Sequence, residues 1–264
     1  MKQGVVTVGS TVADARLCRT LPFGSGAAIK VCGLTRADDV ALSCELGAWA
    51  VGFVFAPSPR RVEPAEVPRL LRGVLRRKAL AVGVFVEENA DRIASIAYEA
   101  GLDAVQLHGG ERGPRVAEVR QALGALMDAA PDPAPASLRA RTWPPFVLAT
   151  IPVSPSEEDA SALSRMVAEA GDADMLLFDT RVAGCAGGSG VSFPWALAGQ
   201  AAGNRPFLVA GGIGPANARA ALLASGAWGV DVASGVESSP GEKDERSLRA
   251  LFAALRPQKE GTRP

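Results

Sequence analysis

Apolar positions along this chain fall into two rhythms. Short, nearly continuous apolar runs occur at AIKVCG (28–33), AVGFVF (50–55), AVGVFV (81–86), AVQLHG (104–109), FVLATI (146–151), MLLFDT (175–180), FLVAGG (207–212) and GVDVAS (229–234). Runs that do not alternate with polar residues suit strands covered on both faces, as in a parallel sheet. Between them the spacing is helical. In ENADRIASIAYEAG, Ile93, Ile96, Ala97 and Ala100 recur on one helical face, while Glu88, Asp91, Arg92 and Glu99 fall toward water. Four times the helical stretch ends in glycine before an apolar run, at Gly47, Gly101, Gly171 and Gly226. Each fits a helix C-terminus, where a left-handed backbone favours a residue without Cβ.

Strand starts are separated by enough chain for a crossover helix each time, as parallel neighbours require. Eight strand–helix units in roughly 230 residues predict a single α/β domain of the (β/α)8 barrel type. A doubly wound open sheet is the rival. The expected organisation is an N-terminal extension over 1–27, a catalytic barrel over 28–256 and a tail over 257–264. Residues 125–145, with the Pro-rich PDPAPASLRARTWPP, read as an extended loop before the fifth strand. RLLRGVLRRK (69–78) reads as a basic helix end.

Composition narrows the function. Hydrophobic residues make up 48% of the 264 residues and charged residues 21%, enough apolar material for a large core. Lys+Arg and Asp+Glu are both 28, so no net positive charge draws a nucleic acid. The cysteines at 18, 32, 44 and 185 form no C-x-x-C pair and His108 is the sole histidine, which argues against a metal cluster and for free thiols in a reducing cytosol. No run approaches the ~18 apolar residues of a membrane helix. The expectation is a cytoplasmic protein acting on a small phosphorylated molecule, with no metal, membrane, nucleic acid or obligatory protein partner.

On a barrel, chemistry sits at the carboxyl ends of the strands and in the loops that follow. That rule selects Cys32, Arg60, Gln106, His108, Asp179 and three glycine-rich turns, CAGGSG (185–190), AGGIGPAN (210–217) and ASGVESSPG (233–241). Such turns bring backbone N–H groups close to an oxyanion, and barrels commonly hold phosphate after their last strands. Cys32 and Asp179 are the candidate proton carriers: a thiol becomes a base where positive potential acts on it, and a carboxyl group donates near neutrality where it is buried. An acid ending the run MLLFD is costly to bury without a partner or a task. Cys32 read blandly is a small buried hydrophobe, and His108 either a satisfied rim residue or a proton carrier.

KVCGLTR, GFVFAPSPRRV, VGVFV, VQLHG, LLFDT with GGSG, AGGIGPAN and VDVASGVESSPGEKD, in this order, resemble the motifs of the phosphoribosylanthranilate isomerase family. The resemblance covers residue 28 to about 255. It implies a cofactor-free Amadori rearrangement with Cys32 as general base and Asp179 as general acid. It further implies Arg60 on the anthranilate carboxylate, Asp231 on the sugar hydroxyls, and backbone donors around Gly188, Gly190, Gly211, Gly212, Ser234 and Gly235 on the phosphate; Gln106 and His108 would line the substrate. Two positions depart from the family's habit: Ala233 stands where a serine is common, and Leu148 where a lysine is common. A phosphosugar isomerase that also accepts the histidine-pathway aminoaldose, and a paralogue that binds without turnover, are the alternatives.

Overall fold

The computed structural model describes residues 27–74, 79–110, 113–129, 144–180 and 192–256. The expected N-terminal extension, save for residue 27, the tail over 257–264, and Gly188 and Gly190 lie outside them. Eight parallel strands close into a barrel in sequence order: β1 (Ala28–Val31), β2 (Ala50–Val54), β3 (Leu80–Phe85), β4 (Ala104–Leu107), β5 (Phe146–Val153), β6 (Met175–Thr180), β7 (Phe207–Val209) and β8 (Gly229–Val232). The seam is sealed by β1 against β8, in a register that sets Lys30 opposite Asp231. The open-sheet rival is therefore excluded.

Helices alternate with the strands: α1 (Ala37–Leu46), α2 (Val67–Leu70), α3 (Ala90–Ala100), α4 (Val116–Ala129), α5 (Ala160–Glu169), α6 (Ala196–Ala202), α7 (Ala218–Ser225) and α8 (Glu245–Leu255). Side-chain caps begin several of them: Asn89 accepts from the Arg92 N–H, Asp159 from Ser161 and Asp244 from Ser247, each satisfying an N–H that the first turn leaves free. Ile93, Ile96, Ala97 and Ala100 of α3 are buried as their spacing predicts.

Two expectations need correction. The basic segment 69–78 meets a helix end only at its start: α2 stops at Leu70 with Arg69 in its last turn, Gly73 turns the chain with φ of +79°, and residues 75–78 lie outside the described residues. Residues 125–129 are not loop but the last turns of α4, whose Leu123 and Ala122 pack on the core.

The sheet divides the interior in two. Outward strand residues such as Val51, Phe53, Phe85, Val105, Phe178 and Val230 pack under the helices in one large apolar core. Inside the barrel a smaller core holds Ala50, Val82, Phe146, Leu148, Met175, Leu177 and Leu208. Alternation along each strand then brings a second interior layer toward the carboxyl ends, and it is polar: Lys30, Gln106, Thr150 and Asp231, all buried. Leu148 belongs to the apolar layer.

Between Glu237 and Lys243 the chain forms a small antiparallel hairpin, β9 (Glu237–Ser239) and β10 (Glu242–Lys243), that follows a 3₁₀ turn at Ser234–Val236.

Candidate active site at the barrel mouth

Lys30 forms the floor of the site. Its Nζ donates to Asp231 Oδ2 at 2.7 Å, with 0% and 7% of the two side chains exposed. Burial works against the ammonium, yet Asp231 and Cys32 outweigh it and carry the Lys30 pKa up to about 12. The second oxygen of Asp231, Oδ1, is buried and has no hydrogen-bond partner among the described residues.

Cys32 follows β1 by one residue, its N–H donating to Val232 O across the seam at 2.8 Å. A Cβ added at Gly52 on β2 would lie 2.8 Å from the Cys32 sulfur, so the absence of a side chain there makes room for the thiol. Burial pushes the thiol above its ordinary range, while Lys30 and Lys243 pull it down. It is the Lys30–Asp231 pair, rather than the thiol itself, that sets the local charge.

Asp179 is the last residue but one of β6, with 23% of its side chain exposed. Burial and the negative charge of Asp231 raise its pKa to about 7, well above the ~3.9 of a free aspartate. His108 Nε2 stands 3.6 Å from Asp179 Oδ2; burial, with help from Lys30, lowers the imidazole pKa. The Gln106 amide nitrogen lies 3.4 Å from His108 Nδ1 and equally far from Thr150 Oγ1, and Gln106 Oε1 is buried without a partner among the described residues. Gln106 therefore sits a layer below His108, bracing it. Lys30 and Asp231 act electrostatically on both Cys32 and Asp179, so thiol and carboxyl group share one mouth.

Arg60, in the loop after β2, is gripped by Glu237: Nε donates to Oε1 at 2.8 Å and Nη2 to Oε2 at 2.6 Å. Lys243 Nζ reaches the same carboxylate at 2.8 Å and the Ala233 carbonyl at 3.1 Å. Although burial works to raise the Glu237 pKa, the hydrogen bonds from these two cations hold it below its ordinary value.

Beside them, Gly211 and Gly212 turn with φ of +81° and +65°. Their N–H groups, with those of Ser234 and Gly235, make no turn or loop hydrogen bond to a backbone carbonyl among the described residues. A Cβ at Gly211 would lie 2.0 Å from Thr180 Oγ1, so the turn presses directly on the end of β6. Asn217 ties this loop, accepting from the Gly214 N–H and donating to the Gly212 carbonyl, both at 2.9 Å.

Cys32, Arg60, Gln106, His108, Asp179, Asp231, Gly211, Gly212, Ser234 and Gly235 thus gather at the carboxyl ends of the strands. Lys30, Glu237 and Lys243 were not singled out by sequence. Lys30 carries a usable signal, a lone charge in the apolar run AIKV, the same signal that marked Asp179. Glu237 and Lys243 carry none, since only the hairpin brings them to Arg60.

The family model described as N-(5'-phosphoribosyl)anthranilate (PRA) isomerase matches residues 29–131 and 147–254. An N-(5'-phosphoribosyl)anthranilate isomerase of Magnetococcus marinus is 37% identical over 234 residues, spanning 88% of this chain and 97% of that protein. The crystal structure of the Thermus thermophilus phosphoribosyl anthranilate isomerase is 31% identical, covers 86% of this chain and 98% of its own, and superposes with a TM-score of 0.67. A phosphoribosyl anthranilate isomerase in complex with reduced 1-(o-carboxyphenylamino)-1-deoxyribulose 5-phosphate, 28% identical, covers 87% and 98% with a TM-score of 0.67.

Proposed function

Because the chain belongs to the N-(5'-phosphoribosyl)anthranilate isomerase family, we propose that its barrel mouth performs that family's reaction with Asp179 as general acid and Cys32 as general base. The activity is an aldose–ketose isomerisation in tryptophan biosynthesis. It is the Amadori rearrangement of N-(5-phosphoribosyl)anthranilate to 1-(2-carboxyphenylamino)-1-deoxyribulose 5-phosphate.

The protonated Asp179 gives its proton to the furanose ring oxygen. The ring opens as the lone pair of the anthranilate nitrogen forms an iminium at C1′. Cys32, as thiolate, then takes the proton from C2′, and the resulting enolamine tautomerises to the ketone. The pKa of about 7 at Asp179 supports a donor that works at neutral pH. Each positioned proton transfer contributes ~10² to 10⁴ in rate.

Arg60, preset by Glu237, receives the anthranilate carboxylate through the guanidinium edge that Glu237 leaves open. The free Oδ1 of Asp231 accepts from a sugar hydroxyl. The N–H groups of Gly211, Gly212, Ser234 and Gly235 take phosphate oxygens. These remote contacts fix the reacting carbons between acid and base. Residues 28–256 form the catalytic unit, acting in the cytoplasm without an obligatory protein partner.

The observation that carries this reading is the common hold of Lys30 and Asp231 on both proton carriers. Purified protein should consume freshly generated phosphoribosylanthranilate and leave the histidine-pathway aminoaldose untouched. It should also rescue a tryptophan auxotroph that lacks this step. No turnover of the first substrate would remove the proposal.

A further inference from the structure

Lys30 has more to do than neutralise Asp231. Lys30 and Cys32 are two positions apart at the end of β1, so both side chains point into the barrel, where the ammonium bonds Asp231 and acts electrostatically on the thiol. Its side chain is fully buried. Asp231 uses one oxygen on Lys30 and has its other oxygen buried without a partner among the described residues. We infer that Lys30 is a counter-ion shared between Asp231 and Cys32, so that engaging the free oxygen of Asp231 turns positive charge toward the sulfur. The inference rests on the reading of Cys32 as the base and deepens it: substrate itself completes the base.

The groups that face Cys32 are few. Lys30 comes from its own strand, Asp231 from β8 and Lys243 from the hairpin. Arg60 reaches it from the loop after β2, while β2 itself presents only Gly52. Glu237 is committed to Arg60 and Lys243. Arg60 and Lys243 share the one negative charge of Glu237, whereas Lys30 is the cation that stands between Asp231 and Cys32. When Asp231 accepts a hydroxyl proton, its negative charge is spread onto that hydrogen bond. Its hold on Lys30 weakens, and the thiolate gains what Asp231 gives up. Empty, the mouth keeps Cys32 as a thiol protected from adventitious alkylation; occupied, it favours the thiolate beside C2′.

The test is the pH dependence of Cys32 alkylation by iodoacetamide, resolved at the Cys32 peptide by mass spectrometry. The variants are Lys30→Met and Asp231→Asn, with folding checked by far-UV circular dichroism. Lys30→Met should move the alkylation midpoint up, and Asp231→Asn should move it down, each by about one pH unit or more, as for an opposite charge gained or lost at close range. A merely structural role would not shift the two variants in opposite directions. A midpoint that stays or falls in Lys30→Met overturns the inference. So does one that stays or rises in Asp231→Asn, and that variant alone decides the matter if Lys30→Met does not fold. Alkylation needs no turnover, so an inactive wild type would count against the proposed reaction and not against the shared counter-ion.

Discussion

Arg60 and Glu237 stand 177 positions apart in the chain and are joined by a two-pronged ion pair, with Nη2 to Oε2 at 2.6 Å. The pair ties the loop after β2 to the hairpin after β8, across the mouth. Glu237 is only 4% exposed and is also held by Lys243, so Arg60 is fixed before any ligand arrives. A preset guanidinium spends less entropy when it captures a carboxylate. Glu237→Gln keeps the shape and turns an acceptor into a donor facing a cation. Hydrogen bonds to charged groups contribute about 1.5–3 kcal/mol. KM for the anthranilate substrate should therefore rise about tenfold or more with kcat altered less, as steady-state kinetics on wild type and variant would register.

The two proton carriers titrate in reverse order. Asp179 must be protonated and has a pKa of about 7, while Cys32 must be ionised and burial lifts its pKa above the ordinary range. The competent form is then a minor species whose amount rises with pH up to about 7, stays level, and falls only beyond the thiol value. A profile of kcat/KM against pH should show that plateau, extending past the ~8.5 of an ordinary thiol. A decline that begins between pH 7 and 8 would contradict the assignment.

Asp179 costs the fold stability when it ionises. Its folded pKa of about 7 exceeds the unfolded value near ~3.9, so its contribution is intact below ~4 and is lost as pH rises through 7. Asp179→Asn should lower kcat by about 10²-fold or more. It should also melt at a higher temperature than wild type, with a gap wider at pH 8 than at pH 5. Thermal denaturation at the two pH values gives the comparison.

The opposite end of the barrel is purely structural. Asp174 precedes β6 and accepts from the Val147 N–H at 2.8 Å and from Arg120 Nη2 at 2.8 Å. Asp174→Ala strands the Val147 N–H, while Arg120 Nη2 keeps the Asp172 carbonyl at 2.6 Å, and should cost about 1–3 kcal/mol of stability. Denaturant melts would show the loss, while kcat at a temperature where the variant is folded should match wild type.

The strands were legible because most are continuously apolar and four of them follow a glycine that stops a helix. Their ends were less so. FLVAGG reads as six strand residues, but β7 stops at Val209 because Gly211 and Gly212 adopt left-handed φ. GVDVAS likewise ends at Val232, where the chain turns into the 3₁₀ segment at Ser234. The start of α2 went unseen because a helix of four residues is too short to show helical spacing. Cys32, Asp179 and the glycine turns could be chosen because strand ends predict the mouth. The Lys30–Asp231 pairing could not, since the register of the first strand against the last leaves no mark in a linear pattern.

That register sets the order in which the protein comes to life. Asp231 is 201 positions downstream of Lys30, so a nascent chain emerging from the ribosome carries a solvated lysine and an ordinary cysteine until nearly all of it has been translated. Chains that fold from the N-terminus as they are made must wait for the final strand. A product truncated before β8 has lost both its closure and its reactive end in a single cut.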